Sequence, residues 1–373
     1  MSNMTPDSAL TAALQPAAVP APAVTKTIHN FYYLQYLRGI AALMVVYFHA
    51  LVQLDTMGIA TPLPRIGEPG VDLFFVLSGF LMWITTVNSK MTPLTFMRKR
   101  IIRVIPLYWT LTLFAAAVAL IAPNVLKHTV LEGHHLISSL LFWPAPNPAY
   151  TGPGEEGMLL TPLLVPGWTL NYEAFFYVLF GLMMFVKPTA RLLLLPAVFG
   201  VLVWANATFN SHSPALAVFG HPMVFEFYFG VLVAVMVKRG WYPRPTIAAA
   251  MLAAGIGAIV ILNLRFTVED RLFAFGLPAA WIVYCLCALE LQRPALRSRW
   301  LQAIGDASYS LYLTHVFSLP LCRLVFQHLT TATDLLTQLL FCLACELLSI
   351  TVGLMVFRAY EQPVANYLSR YRR

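Results

Sequence analysis

Charged residues are scarce in this chain. They make up 11% of its 373 residues, whereas soluble globular proteins carry about 25%. Hydrophobic residues make up 59% of the chain, and its mean hydropathy is +0.71. A chain so poor in charge is not an ordinary soluble domain, and its composition predicts a protein embedded in a membrane.

Cysteines are also few, and their distribution excludes a disulfide-rich secreted domain. There are five, an odd number, and each lies within an apolar run. Buried small hydrophobic residues are therefore the favoured interpretation. One CxxC, from Cys342 to Cys345, has no second cysteine pair or histidine beside it in the sequence. We expect no metal site.

The chain instead contains a series of long apolar runs. A helix of about 20 apolar residues crosses the hydrocarbon core of a bilayer. We therefore predict an all-α, polytopic membrane protein with about ten transmembrane helices. The predicted spans are 31–54, 71–88, 106–122, 169–186, 191–206, 222–237, 246–263, 272–290, 309–328 and 336–357.

The basic residues predict how these spans are oriented. The net charge of +8 would by itself also suit nucleic acid. However, 18 of the 24 Lys and Arg residues fall in alternate loops and termini, four in the opposite loops, and Arg38 and Arg323 within spans. This positive-inside pattern predicts that both termini are cytoplasmic. We expect no nucleic-acid partner.

The ends of the chain differ in composition from the apolar region. Residues 1–30 are rich in Ala, Pro, Ser and Thr and lack the apolar core of a signal peptide. We predict a disordered cytoplasmic tail there, one transmembrane domain over 31–362, and a short basic cytoplasmic tail over 363–373.

The first span, in the stretch LRGIAALMVVYFHA, carries a cation and an imidazole. Arg38 and His49 are 11 residues apart, which at ~100° and ~1.5 Å per residue places them on one helix face, about 16 Å apart. We interpret both as facing one cavity. The alternative is that Arg38 extends to the inner membrane surface and His49 is a hydrogen-bonded buried residue.

Three carboxylates are predicted at the depth of His49. Asp72 in GVDLFFVLSGF, Glu173 in GWTLNYEAFFYVLFG and Glu226 in FEFYFG fall early in spans that enter from the outer side. A carboxylate orients an imidazole and stabilises its cation, so we predict His49 as a general base partnered by Glu173 or Asp72. The alternatives are a helix cap for Asp72 and a structural acid for Glu226.

A basic stretch, FMRKRIIRVIPLYW, precedes the third span. Arg100 and Arg103 are three residues apart on one helical face. Together with Arg38 they would form a pocket for a polyanion, such as a phosphorylated cofactor. The alternative is a stretch that only sets topology or binds anionic lipid headgroups.

The ninth span, GDASYSLYLTHVFSL, is unusually polar in its inner half. Lipid-facing helices lack such side chains, so we expect this span to line the cavity, with Tyr309 and His315 as candidate substrate contacts. Beyond them, Arg323 and Glu346 of the last span fall at compatible depth, which favours a structural ion pair.

The longest loop, 123–168, is predicted to face outward and ends at Trp168. Its aromatic, acidic and proline residues suit carbohydrate contact, which makes Trp168 a third candidate substrate contact. An interfacial loop with tryptophan anchors is the alternative.

Taken together, these motifs resemble the acyltransferase-3 membrane acyltransferases, whose bacterial members O-acetylate surface glycans. The likeness covers about residues 31–362 and includes six motifs in order. They are the Arg38 to His49 arrangement, GVDLFFVLSGF, RKRIIRVIPLYW, GWTLNYEAFFY, FYFGVLVA and GDASYSLYLTH.

The resemblance implies an acyl donor, usually acetyl-CoA, bound from the cytoplasm of a bacterial inner membrane. Arg38 and His49 would be the signature pair, Arg100 and Arg103 the basic motif, and Glu173 the acid motif. The acceptor would be a hydroxyl of a membrane-associated or lipid-linked glycan, because the chain ends soon after the last span and we expect no appended extracytoplasmic domain.

The sequence allows two mechanisms and two functions. His49 would take the proton of the acceptor hydroxyl, or a covalent acyl-enzyme would form on a side chain such as Ser78 or Tyr309. A proton-coupled transporter or flippase for a lipid-linked sugar is the alternative function, since it too would have about ten spans and a charged site.

Overall fold

The computed structural model describes residues 31–121, 130–150, 160–209, 213–265 and 271–370. The predicted tail 1–30 and residues 371–373 of the predicted basic tail lie outside this part of the chain. Within it, the regular secondary structure is helical.

The helices follow the apolar runs. They are α1 (Tyr32–Thr56), α2 (Gly70–Thr86), α3 (Pro93–Ile121), α4 (Gly133–Leu140), α5 (Gly167–Met183), α6 (Pro188–Phe209), α7 (Pro214–Phe219), α8 (Val224–Lys238), α9 (Pro245–Arg265), α10 (Leu277–Gln292), α11 (Arg299–Asp306), α12 (Ser308–Leu329), α13 (Leu335–Val356) and α14 (Gln362–Arg370). Short π-helical turns over Leu272–Gly276 and Phe357–Glu361 lead into α10 and α14.

Each of the ten predicted spans coincides with one of these helices. In the described part of the chain, seven helical segments are long and apolar enough to cross a membrane. They are Tyr32–Thr56, Pro93–Ile121, Pro188–Phe209, Pro214–Lys238, Pro245–Asn263, Leu272–Gln292 and Leu335–Arg370. The all-α, polytopic membrane fold is confirmed.

The other three predicted spans are α2, α5 and α12. α2 and α5 have 17 residues each, and α12 carries a run of buried polar side chains. Many of their side chains are buried against neighbouring helices, so these helices need neither the length nor the uniform apolarity of a fully lipid-exposed span.

The helix of the third span extends beyond the predicted span on its N-terminal side. α3 runs from Pro93 through Pro106 without a break, whereas the span was predicted from 106. A proline inside a helix removes a single ladder hydrogen bond, which a membrane helix tolerates. Arg100 and Arg103 therefore lie on the same helix as the third span.

The short helix α4 lies within the loop 123–168 and packs on α3. The hydroxyl of Tyr108 donates to the carbonyl of Ser139 (3.1 Å), and Nε1 of Trp109 donates to the carbonyl of Leu140 (2.8 Å). Residues 122–129 and 151–159 of this loop lie outside the described part. The bonds fix the apolar piece of the loop against the bundle.

α2 and α8 cross with their backbones in contact. A Cβ built on Gly79 would overlap the carbonyl oxygen of Phe227, and one built on Gly230 would overlap that of Val76. Small residues at such crossings allow membrane helices to approach closely, where dispersion forces hold them. The crossing fixes α2, whose other face lines the cavity described below.

A buried ion pair joins α2 to the turn before α10. Nε of Arg271 donates to Oδ1 of Asp72 (3.0 Å) and Nη2 to Oδ2 (2.8 Å), and Nη2 also reaches the carbonyl of Glu68 (3.1 Å). Asp72 is fully buried, as is Glu226 of α8, which interacts electrostatically with Asp72 and Arg271. These three side chains connect three helices.

This cluster corrects two interpretations of the sequence. Arg271 is one of the four basic residues that the sequence analysis assigned to the opposite loops, but it is buried. Asp72 is engaged by that arginine and so does not hold the ring of His49. No signal in the sequence indicated that Arg271 is buried, because topology rules count charges by loop and not by partner.

We expect Arg271→Ala to destabilise the protein by about 3–5 kcal/mol, because it leaves two buried carboxylates without their cation. Thermal unfolding of the purified protein in detergent measures this. The matched control is Arg65→Ala, which breaks an exposed ion pair with Asp55 and should change stability by about 1 kcal/mol or less. Equal melting temperatures for the two variants would contradict the assignment.

Candidate active site

A cavity opens between α1, α2, α3, α5 and α12. Side chains from all five helices line it. Its lining is apolar along α2 and polar elsewhere. The lining residues are Arg38, Val71, Phe74, Phe75, Leu77, Ser78, Leu81, Met82, Arg100, Arg103, Val104, Thr169, Leu170, Glu173, Tyr177, Ser308, Tyr309 and Tyr312.

Three arginines share this cavity. Arg38 of α1 and the pair Arg100 and Arg103 of α3 line it together, as the sequence analysis predicted. The guanidinium of Arg100 lies over the rings of Phe96 and Tyr177, at 5.7 and 5.8 Å from their centroids. Its Nε is buried and has no hydrogen-bond partner among the described residues.

Two carboxylates act on the arginines. Oε1 of Glu173 accepts from the hydroxyl of Ser78 (2.8 Å) and from that of Tyr177. Oε2 of Glu361, in the turn before α14, accepts from Ser310 (2.5 Å). Both acids interact electrostatically with Arg38. Three guanidinium groups against two carboxylates leave one net positive charge, so the cavity favours an anion.

Glu361 is a site residue that the sequence analysis did not identify. It follows the last apolar run, where an acid usually lies in solvent. Its interactions with Arg38 and Arg103 depend on the π-helical turn that directs the chain back toward α3. The only signal in the sequence is an acid close to the membrane boundary, which is common and unspecific.

His49 lies beside this cavity and not in its lining. Its Nδ1 is 2.8 Å from the carbonyl oxygen of Val45, and its ring centroid is 4.9 Å from that of His315. Nδ1 of His315 lies 2.5 Å from the carbonyl oxygen of Tyr312, and Tyr312 does line the cavity. The two histidines therefore adjoin it through one side chain.

The predicted contact between His49 and a carboxylate is absent. Glu173 is hydrogen-bonded to Ser78 and Tyr177, and Asp72 to Arg271. The prediction rested on equal depth in the membrane, which does not specify the face of a helix. Glu173 turns toward the arginines, although sequence position grouped it with the histidine.

The candidate substrate contacts fall in different places. Tyr309 lines the cavity, and its hydroxyl donates to the carbonyl of Val104 (2.7 Å). His315 is buried against His49. Trp168 is partly buried and packs edge-on against Tyr172, with centroids 6.0 Å apart. It is not part of the lining.

The predicted ion pair between Arg323 and Glu346 is wrong. The ion pairs within the described residues involve Arg65 and Arg271, and Oε2 of Glu346 is buried without a hydrogen-bond partner. Here too, matched depth on neighbouring helices did not bring the side chains together.

Comparison with known proteins finds a matching family and a relative of this chain. The model of an acyltransferase domain matches residues 31–356. The exopolysaccharide production protein ExoZ of Rhizobium meliloti strain 1021 is 32% identical over 262 residues, which cover 68% of this chain and 77% of that protein. No solved structure matches the chain.

We expect Arg103→Gln to weaken the binding of coenzyme A, a polyanion of the kind predicted from the sequence, by about tenfold or more. A hydrogen bond to a charged group is worth about 1.5–3 kcal/mol. Titration calorimetry on the purified protein measures the affinity. Lys99→Gln removes the same charge from an exposed neighbour outside the lining and serves as the control. Equal losses in the two variants would mean that the arginine acts through net charge alone.

Proposed function

We propose, because the chain belongs to the acyltransferase-3 family, that it moves an acetyl group from acetyl-CoA to a hydroxyl of a membrane-associated or lipid-linked glycan. The donor binds from the cytoplasmic side of a bacterial inner membrane. The name of the rhizobial relative, an exopolysaccharide production protein, supports a glycan that is exported to the cell surface.

The observation that supports this proposal most strongly is the cavity with three arginines. Charged residues are only 11% of the chain, and placing guanidinium groups inside a membrane protein is costly unless they meet a partner. Coenzyme A carries a diphosphate and a 3′-phosphate, and arginine matches phosphate oxygens with paired N–H donors. Its acetyl-bearing arm is uncharged, which suits the apolar wall that α2 provides.

The side of entry follows from the position of the arginines. Arg100 and Arg103 belong to the basic stretch that the positive-inside rule places at the cytoplasmic membrane surface. α3 carries this stretch into the bundle without interruption. Acetyl-CoA is made in the cytoplasm, so its anionic end and these arginines would meet on the same side.

His49 is the general base in this proposal. A carbonyl oxygen only accepts hydrogen bonds, so its contact with Val45 assigns the proton to Nδ1 and leaves the lone pair on Nε2. Nε2 takes the proton of the acceptor hydroxyl while that oxygen attacks the thioester carbonyl. The C–S bond then breaks, and the thiolate of coenzyme A receives the proton. General-base assistance is worth about 10²- to 10⁴-fold in rate.

A covalent route through Ser78 has one specific observation in its favour. The hydroxyl of Ser78 donates to Glu173 at 2.8 Å inside the cavity, an arrangement that can activate a serine nucleophile. Tyr309 is less suited to this role, since its hydroxyl is bonded to a backbone carbonyl.

We expect His49→Ala to abolish acetyl transfer while the protein still inserts and folds, because the proton acceptor is lost. The assay follows label from [¹⁴C]acetyl-CoA into the glycan fraction of membrane vesicles that contain the native acceptors. Label incorporation at the wild-type rate by His49→Ala would exclude the general-base role, and wild-type vesicles that transfer no label would contradict the proposed function.

For direct transfer, Ser78→Ala should retain activity within about tenfold of wild type, because it loses one hydrogen bond of about 0.5–1.5 kcal/mol. The same vesicle assay measures the rate. Complete loss of transfer in Ser78→Ala, together with labelled protein in the wild type after rapid denaturation, would establish the covalent route instead.

A further inference from the structure

His49 of α1 and His315 of α12 are in direct ring contact. Their centroids are 4.9 Å apart, with 52° between the ring planes. Each ring is held by a backbone carbonyl on its own helix, 2.8 Å from Nδ1 of His49 and 2.5 Å from Nδ1 of His315. Because carbonyls only accept, both Nδ1 atoms carry hydrogen, and both Nε2 atoms present a lone pair.

The environment of His315 leaves that lone pair unused. Its side chain is 1% exposed, and its Nε2 is buried without a hydrogen-bond partner among the described residues. A buried polar atom without a partner is unfavourable, so this lone pair favours a nearby donor. The neighbouring Tyr312 offers no donor, because its hydroxyl is engaged with Thr169 and the carbonyl of Pro166.

His49 is the group placed to use this lone pair. Its ring is in contact with that of His315, and among the described residues neither Glu173 nor Asp72 is bonded to His49. The buried imidazole therefore occupies the position beside the base where a carboxylate was expected from the sequence.

We propose that His315 is a positioning residue that shares the proton His49 takes from the acceptor hydroxyl. The proposal rests on the proposed function and adds a residue to it. During the attack the O–H bond breaks and the new ester C–O bond forms. His315 accepts a hydrogen bond from the resulting N–H of His49, or the proton itself. When the C–S bond breaks, the same proton passes to the thiolate of coenzyme A.

The ring contact also limits the pair to one proton at a time. Two imidazolium ions in contact within a membrane interior would repel strongly, so protonating one ring disfavours protonating the other. This suits a transfer in which one proton is taken and one is returned in each turnover.

Two substitutions separate this role from packing. His315→Asn keeps an N–H donor near the carbonyl of Tyr312 but has no basic nitrogen, and His315→Gln places an amide near the position of Nε2. If His315 shares the proton, both variants should lower kcat in the vesicle assay by about 10²-fold, with an unchanged KM for acetyl-CoA. Ser349→Ala, which removes a buried hydroxyl on the neighbouring helix α13, is the matched control and should keep the wild-type rate.

A second measurement applies even where one variant folds poorly. In a His49→Gln background, His315→Asn should lower the residual rate no further, because His315 acts through His49. The inference would be overturned if the losses of the two substitutions multiplied, if the His315 variants kept the kcat of Ser349→Ala, or if their loss were confined to KM. Those results leave the proposed function intact, whereas the absence of label transfer by the wild type would contradict the function itself.

Discussion

A charge buried within a membrane protein must be compensated, and that constraint shapes both polar regions of this bundle. In one region, Asp72 and Arg271 are bonded to each other and Glu226 lies next to them. In the other, Arg38, Arg100 and Arg103 face two carboxylates. The first region is closed and joins helices. The second lines a cavity, which distinguishes a ligand site from a structural contact.

The same constraint explains why the helices around the cavity are atypical. α2 and α5 are short and α12 is polar, so none of them would be stable alone in lipid. Some of their polar groups are bonded to one another, as Ser78 is to Glu173 and Thr169 to Tyr312. α2 is fixed by its backbone contact with α8 at Gly79, and this rigidity would hold a donor in place while a second substrate approaches.

Sequence patterns predicted the fold well because length and apolarity are local properties. The i to i+3 spacing of Arg100 and Arg103 also predicted their common helix face, and the similar depth of Arg38 placed it with them. Partners across helices were predicted poorly. Glu173, Asp72 and Arg323 were paired by depth, and each lies on a face that depth does not define. Arg271 and Glu361 were missed because each lies beside the end of an apolar run, where sequence alone does not identify the partner of a charged side chain.

The most direct test of the central claim is an experimental structure of the protein with coenzyme A bound. We predict the phosphates of coenzyme A against Arg38, Arg100 and Arg103, with the thiol directed along α2 toward His49. Coenzyme A bound elsewhere, or bound in this cavity with its thiol directed away from His49, would contradict the assignment of the arginine cavity as the donor site of an acyltransferase.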